Sequence, residues 1–257
     1  MRGAALILLL TTTGCRSLTT APALPVQNSI VRDQLVVYTD FPLAPGHRLL
    51  DELVARRLDL SRQLNLAPAD EPVHVYLFRS AENYQRFMTE HYPEFPERRA
   101  FFVETDTRLA VYAHWGDRVA EDLRHEVAHG YLHATVPRLP LWIDEGLAEY
   151  YEVARGGQGK NSAHLEQLTA QIKDGWRPDV ARLETIKSVA EMSQLDYAES
   201  WAWVHFLLST DQAHLDVLQR YLRSTQATST AEPLSQSLRE LHVEPNRTLA
   251  DYVSSLE

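Results

Sequence analysis

The chain has 257 residues, 44% hydrophobic and 23% charged, with a formal net charge of −10 and an isoelectric point near 5.6. Nucleic acid and anionic lipid headgroups bind through clustered Lys and Arg, so an acidic chain without a basic patch excludes both as partners of the bulk surface. The one cysteine, Cys15, rules out a disulfide within the chain, and the apolar content is enough to build a core without such staples.

The amino terminus reads as a targeting segment. Met1-Arg2 followed by the apolar run Ala4 to Leu10 has the charged start and short hydrophobic centre of a secretory signal, and is too short to span a bilayer as a helix. Thr12-Thr13-Gly14-Cys15 follows and resembles a bacterial lipobox, with Thr12 where leucine is usual. The expectation is a signal peptide over 1–14, lipid attachment at Cys15, a Ser/Thr/Pro/Ala-rich tether over 15–29, and a single domain over 30–257 held on a membrane of the bacterial cell envelope. Cleavage at Ala21-Pro22-Ala23 is the alternative and would release a soluble secreted or periplasmic protein.

Beyond the tether the pattern alternates. Leu35 to Phe41 reads as a strand, Gly46 to about Leu66 carries helical spacing, and Val73 to Phe78 reads as a second strand. Ala81 to about His91 reads as a short helix stopped by Pro93. Phe101-Phe102-Val103 and Arg108 to Ala113, joined by Glu104-Thr105-Asp106-Thr107, predict a hairpin. Most of the chain from about Ala163 to Glu257 reads as helical, with a break at Gly175-Trp176-Arg177-Pro178 and polar Ser/Thr stretches near 224–231. The fold class expected is α+β, a small sheet ahead of a mainly helical part.

Directly after the hairpin stands His125-Glu126-Val127-Ala128-His129. Residues four apart share a helix face, so two imidazoles can aim at one ion while the glutamate between them stays beside it. The segment has helical support: Gly116 and Asp117 as stop and cap, Glu121 and Asp122 near the positive end of the dipole, and Val119, Leu123, Val127 and Tyr131 as one apolar face. A catalytic zinc usually takes three protein ligands and keeps a fourth position for water. His133 extends the row, but eight residues of straight helix rise about 12 Å, too far to share the ion. The pattern H-E-x-x-H-x-x-G-x-x-H fails, because Leu132 and Thr135 stand where it needs glycine and histidine. The helix predicted to begin at Pro140 carries Glu145 and Glu149 one turn apart, and both could face the ion, Glu145 being the better candidate.

His125-Glu126-x-x-His129 followed by Leu141-Trp142-Ile143-Asp144-Glu145-Gly146-Leu147-Ala148-Glu149-Tyr150 resembles the gluzincin metallopeptidases, in particular the small bacterial peptidase MA-like proteins. The resemblance implies Glu145 as third zinc ligand, Glu149 as a neighbour that orients a ligand imidazole, and a zincin-like fold whose sheet edge pairs with extended substrate. Tyr197-Ala198-Glu199-Ser200-Trp201-Ala202-Trp203-Val204-His205-Phe206-Leu207-Leu208 is similar to a helix of the same family. That similarity implies a place for Tyr197 near the metal, where a phenol can donate to a developing oxyanion. Trp201, Val204, Leu207 and Leu208 also make an apolar face on which Tyr197 could simply pack, and His205 reads as a core residue.

The function expected is hydrolysis of peptide bonds by zinc-activated water, with Zn²⁺ on His125, His129 and Glu145 and with Glu126 as general base. The alternative is an envelope lipoprotein that uses the same fold, without turnover, as a binding or assembly module.

Overall fold

The computed structural model describes residues 23–227 and 232–256. Cys15, the apolar run before it and Pro22 therefore lie outside the described residues. Five strands come first: β1 (Asn28–Arg32), β2 (Leu35–Thr39), β3 (Val73–Phe78), β4 (Ala100–Thr105) and β5 (Arg108–His114). Helices α1 (Arg48–Leu64) and α2 (Ala81–His91) are set among them, and α3 (Val119–Thr135), α4 (Leu141–Glu152), α5 (Ser162–Lys173) and α6 (Val180–Leu183) follow. A 3-10 turn at Val189–Glu191 leads into α7 (Gln194–Ser209), α8 (Gln212–Ala227), α9 (Leu234–Leu241) and α10 (Pro245–Ser255). The fold is α+β, a mixed sheet followed by a mostly helical part.

The sheet runs in the order β1-β2-β3-β5-β4, with β2, β3 and β5 parallel and the outer strands antiparallel to their neighbours. Its two faces follow from strand alternation, because successive side chains point to opposite sides. Leu35, Val37, Val73, Val75, Leu77, Leu109, Val111 and Ala113 face one apolar core, which continues through α1, α3, α4 and α7. Tyr76, Phe78, Ala110 and Tyr112 face the other side and meet Tyr84, Phe87 and Met88 of α2.

Three helices position the site. On α3 the expected face is buried: Val119, Leu123, Val127 and Tyr131 are each at most 7% exposed. Gly130 on that helix lies against β3, where an added Cβ would stand 2.7 Å from Val73 Cγ1, so the helix sits low on the sheet. The central helix is α7, buried almost all round from Asp196 to Leu207, and α4 crosses it at Gly146. A Cβ at Gly146 would come within 2.5 Å of the Ser200 carbonyl oxygen, so only glycine permits this approach.

Several sequence expectations shift. The tether was expected to reach residue 29, but β1 begins at Asn28; only Ile30 in that strand is buried, so an edge strand of this kind has almost no apolar alternation to read. Gly116 and Asp117 do not cap α3: Arg118 takes the N-cap position and makes no side-chain cap bond, which leaves Glu121 and Asp122 to favour the helix start. The helix bearing Glu145 stops at Glu152, its cap Val153 being extended, ahead of Gly156 and Gly157. Strand β3, helix α2 and the hairpin stand where the pattern put them, the hairpin turn tightening to Asp106-Thr107.

Candidate metal centre

His125 and His129 lie one turn apart on α3 and turn their Nε2 atoms to within 3.2 Å of each other. Glu145 reaches the same point from α4, with Oε2 at 3.6 Å from His125 Nε2 and 3.7 Å from His129 Nε2. Tetrahedral coordination with bonds of about 2.0–2.1 Å separates ligand atoms by roughly 3.3–3.4 Å, so one ion fits inside this triangle.

The donors of the site can be met by a cation or by protons. His129 Nδ1 donates to Asp144 Oδ1 at 2.9 Å, and His125 Nδ1 donates to Glu152 Oε2 at 3.2 Å. A neutral imidazole whose Nδ1 carries the proton presents a lone pair at Nε2. Two such lone pairs then face each other and Glu145 Oε2, a buried oxygen that has no hydrogen-bond partner among the described residues. Without a cation the cluster must take up protons. Burial disfavours charge on His125, but Glu145 and Glu152 outweigh it and hold its pKa well above the ordinary value. His129 is raised too, its burial outweighed by the Asp144 carboxylate. These atoms form a group that could hold a metal ion.

Glu126 lies between the two histidines in sequence and lines the same groove as His125 and Tyr197, an open depression of about 900 Å³. Burial raises its carboxyl, against the pull of His125 and His129, and the Phe102 main-chain N–H donates to it. Phe102 belongs to β4, and its ring stacks on His129 at 5.9 Å between centroids. Strand β4 is an edge of the sheet, with β5 on one side only among the described residues.

Tyr197 is brought to the groove from the start of α7, 6% exposed. Its phenol is raised by burial and by the negative field of Glu145, and it accepts a hydrogen bond from Arg98 Nη2 at 3.3 Å. Glu149 was expected to orient one of the imidazoles; the carboxylates hydrogen-bonded to His129 and His125 are Asp144 and Glu152, and Glu149 Oε2 accepts from His164 Nε2 at 2.8 Å and from Asn161 Nδ2 at 3.4 Å. Spacing explains the exchange: Glu152 is two turns beyond Glu145, on the same face of α4, and ends up beside Nδ1 of His125.

His133, too far along α3 to share the triangle, bonds Asp144 instead, with Nε2 at 3.0 Å from Oδ2, and its Nδ1 lies 2.6 Å from Glu104 Oε2. Its pKa is raised to about 9, burial being outweighed by Asp144 and Glu104. Asp144 in turn is held far below the usual carboxylate range, its burial overcome by His129 and His133. Sequence reasoning did not single out Asp144, Glu152 or Arg98. Asp144 directly precedes Glu145, and Glu145, Glu149 and Glu152 recur at helical spacing, so two of the three carried a local signal. Arg98 sits in the connection between α2 and β4, where no periodicity marks it.

A search of curated proteins returns no match to this chain. Residues 119–235 match the family described as Protein of unknown function (DUF1570). The matched stretch opens at the first residue of α3 and closes in α9, so it takes in His125, Glu126, His129, Glu145 and Tyr197 but none of the sheet. Over the helices that carry the metal-capable cluster, this chain is similar to that family.

Proposed function

We propose that the protein is a zinc-dependent metallopeptidase, with His125, His129 and Glu145 as the metal ligands and Glu126 as the general base. The observation that carries this reading is the convergence of two imidazole lone pairs on the partnerless, buried Glu145 Oε2, with a carboxylate between the two histidines. Two nitrogen donors and one carboxylate oxygen at tetrahedral spacing suit zinc.

Zinc in such a site supplies Lewis acidity, making water nucleophilic near neutral pH and polarising a carbonyl. Glu126 would take the proton of the attacking water and return it to the departing amine. Tyr197, supported by Arg98, donates to the oxygen on which negative charge develops. Extended substrate pairs with the free edge of β4, whose Phe102 touches both His129 and Glu126. Lipid on Cys15 would hold this domain at the surface of the bacterial envelope.

Incubating the purified protein with a broad peptide library, with and without a zinc chelator, tests the reading. Cleavage that the chelator abolishes and added zinc restores is expected. Zinc binding without cleavage of any peptide would contradict catalysis and leave a metal-bearing binding module.

A further inference from the structure

Three histidines, at 125, 129 and 133, follow one face of α3, and the proposed zinc site uses two of them. The third is half-buried and held in a specific set of contacts. Both of its ring nitrogens face carboxylate oxygens, Nε2 at 3.0 Å from Asp144 Oδ2 and Nδ1 at 2.6 Å from Glu104 Oε2. A carboxylate can only accept, so the ring donates from both nitrogens and is an imidazolium. The other oxygen of Asp144 accepts from His129 Nδ1 at 2.9 Å. Glu104, His133, Asp144 and His129 therefore form one hydrogen-bonded chain across β4, α3 and α4. Phe102 packs the same point, edge-on to His133 at 5.0 Å and stacked on His129 at 5.9 Å.

We infer that His133 is a positioning residue for the metal centre: it clamps Asp144 so that Asp144 fixes the ring orientation and tautomer of His129, and it ties that setting to the edge strand through Glu104. This inference rests on the zinc reading above. The physical cause is the second oxygen of Asp144. Asp144 is 7% exposed, and among the described residues its two oxygens accept from His129 and from the charged ring of His133. Removing His133 leaves that oxygen buried without its donor and the carboxylate free to rotate towards another partner. That rotation weakens the bond that holds His129 Nδ1, and such supporting bonds are commonly worth about 10–100-fold in metal affinity.

The test is zinc affinity by competition with a chromogenic chelator, measured on the wild type, His133→Phe, His133→Gln, Asp144→Ala and the double variant His133→Phe with Asp144→Ala. Asp144→Ala is expected to weaken zinc binding by about 10–100-fold and His133→Phe by about 10-fold. His133→Gln keeps one donor for Asp144, so it recovers part of the loss, which a merely space-filling role would not produce. The double variant binds zinc no worse than Asp144→Ala alone, because His133 acts through Asp144. The wild type should also show a downfield imidazole N–H resonance from His129 that His133→Phe shifts. If His133→Phe does not fold, His133→Gln and Glu104→Gln carry the comparison in its place. Unchanged affinity in the His133 variants, or additive losses in the double variant, would overturn the inference while the zinc site stands. A wild type that takes up no zinc would overturn the zinc reading, and this inference with it.

Discussion

The Nε2 atoms of His125 and His129 stand 3.2 Å apart, and each ring directs its Nδ1 proton to a carboxylate, Glu152 for one and Asp144 for the other, so in the neutral rings both Nε2 atoms are lone-pair donors. Two lone pairs at that distance repel unless a cation lies between them. The same two carboxylates that fix the tautomers leave the Nε2 lone pairs turned towards Glu145 Oε2, a group of atoms that could hold a metal ion. Protons compete for these donors. Because His125 and His129 are both raised above their ordinary pKa when no ion is present, zinc affinity should fall as pH drops, with protons released on binding at neutral pH.

Glu126→Gln separates catalysis from metal binding. The amide keeps the size of the side chain and still accepts from the Phe102 main-chain N–H, but it cannot take a proton. Zinc content and melting temperature should stay close to wild type while peptide cleavage falls by about 10²-fold or more. Tyr197→Phe should cost up to about 10²–10³-fold with zinc retained, through loss of one oxyanion donor. Full hydrolysis in Glu126→Gln would refute the assigned base.

Gly146→Ala tests the helix crossing that carries Glu145. The new methyl would meet the Ser200 carbonyl oxygen at 2.5 Å and Val204 Cγ2 at 2.8 Å, and backbone cannot move aside as a side chain can. Forcing α4 from α7 should destabilise the protein by about 2–3 kcal/mol, typical of overpacking, and should weaken zinc binding because Glu145 moves with its neighbour. Chemical denaturation measures the first effect and chelator competition the second. A variant as stable as wild type would show that the two helices do not approach this closely.

His205 gives the stability profile an acid limb. The ring is 5% exposed among Trp201, Tyr150 and Tyr252, its Nδ1 lies 2.8 Å from the Tyr252 hydroxyl, and burial and Lys160 lower its pKa to about 4. Unfolding restores the ordinary value near 6.5, so between those values the unfolded chain binds more protons than the folded one. The stability present above pH 6.5 is lost as pH falls towards 4, by up to about 3 kcal/mol from this group. Denaturation of wild type and His205→Gln from pH 7 to 4 should show the two profiles converging at low pH. Parallel profiles would mean that His205 titrates normally in the fold.

Cys15→Ser tests the anchor. Expressed in a bacterial host, the wild type should partition with membranes and incorporate labelled fatty acid, and the variant should do neither. Equal partitioning of the two into the soluble fraction would favour cleavage near Ala23 instead.

Much of the architecture was legible because the signals were local. The alternating run Val73 to Phe78 and the helix from Ala81, with Ser80 accepting from the Asn83 main-chain N–H and Pro93 just beyond its end, lie where pattern alone put them. His125, His129 and Glu145 were readable as candidate ligands for a related reason: helical spacing places the two histidines on one face, and the next helix carries Glu145 near its start. The contacts that define their protonation were not readable in this way. Asp144 joins His129 to His133, Glu152 finds His125 across two helices, and Glu104 reaches His133 from the hairpin; each link joins distant parts of the chain, so it depends on packing rather than on periodicity. Glu149 and Glu152 lie one turn and two turns from Glu145 on the same helix face, so spacing alone could not tell which of them bonds His125; it is Glu152, while Glu149 bonds His164.

The central claim is that His125, His129 and Glu145 together hold one zinc ion. Metal analysis joined to zinc-edge X-ray absorption on the purified protein, its His129→Ala variant and its Glu145→Ala variant tests it most directly. The expected result is about one zinc per chain, with two imidazole nitrogens at about 2.0–2.1 Å and oxygen donors completing the shell. His129→Ala should lose most of the metal, and Glu145→Ala should bind it much more weakly. Zinc absent from a wild type purified without chelators and reconstituted with the ion, or bound equally well by both variants, would contradict the account.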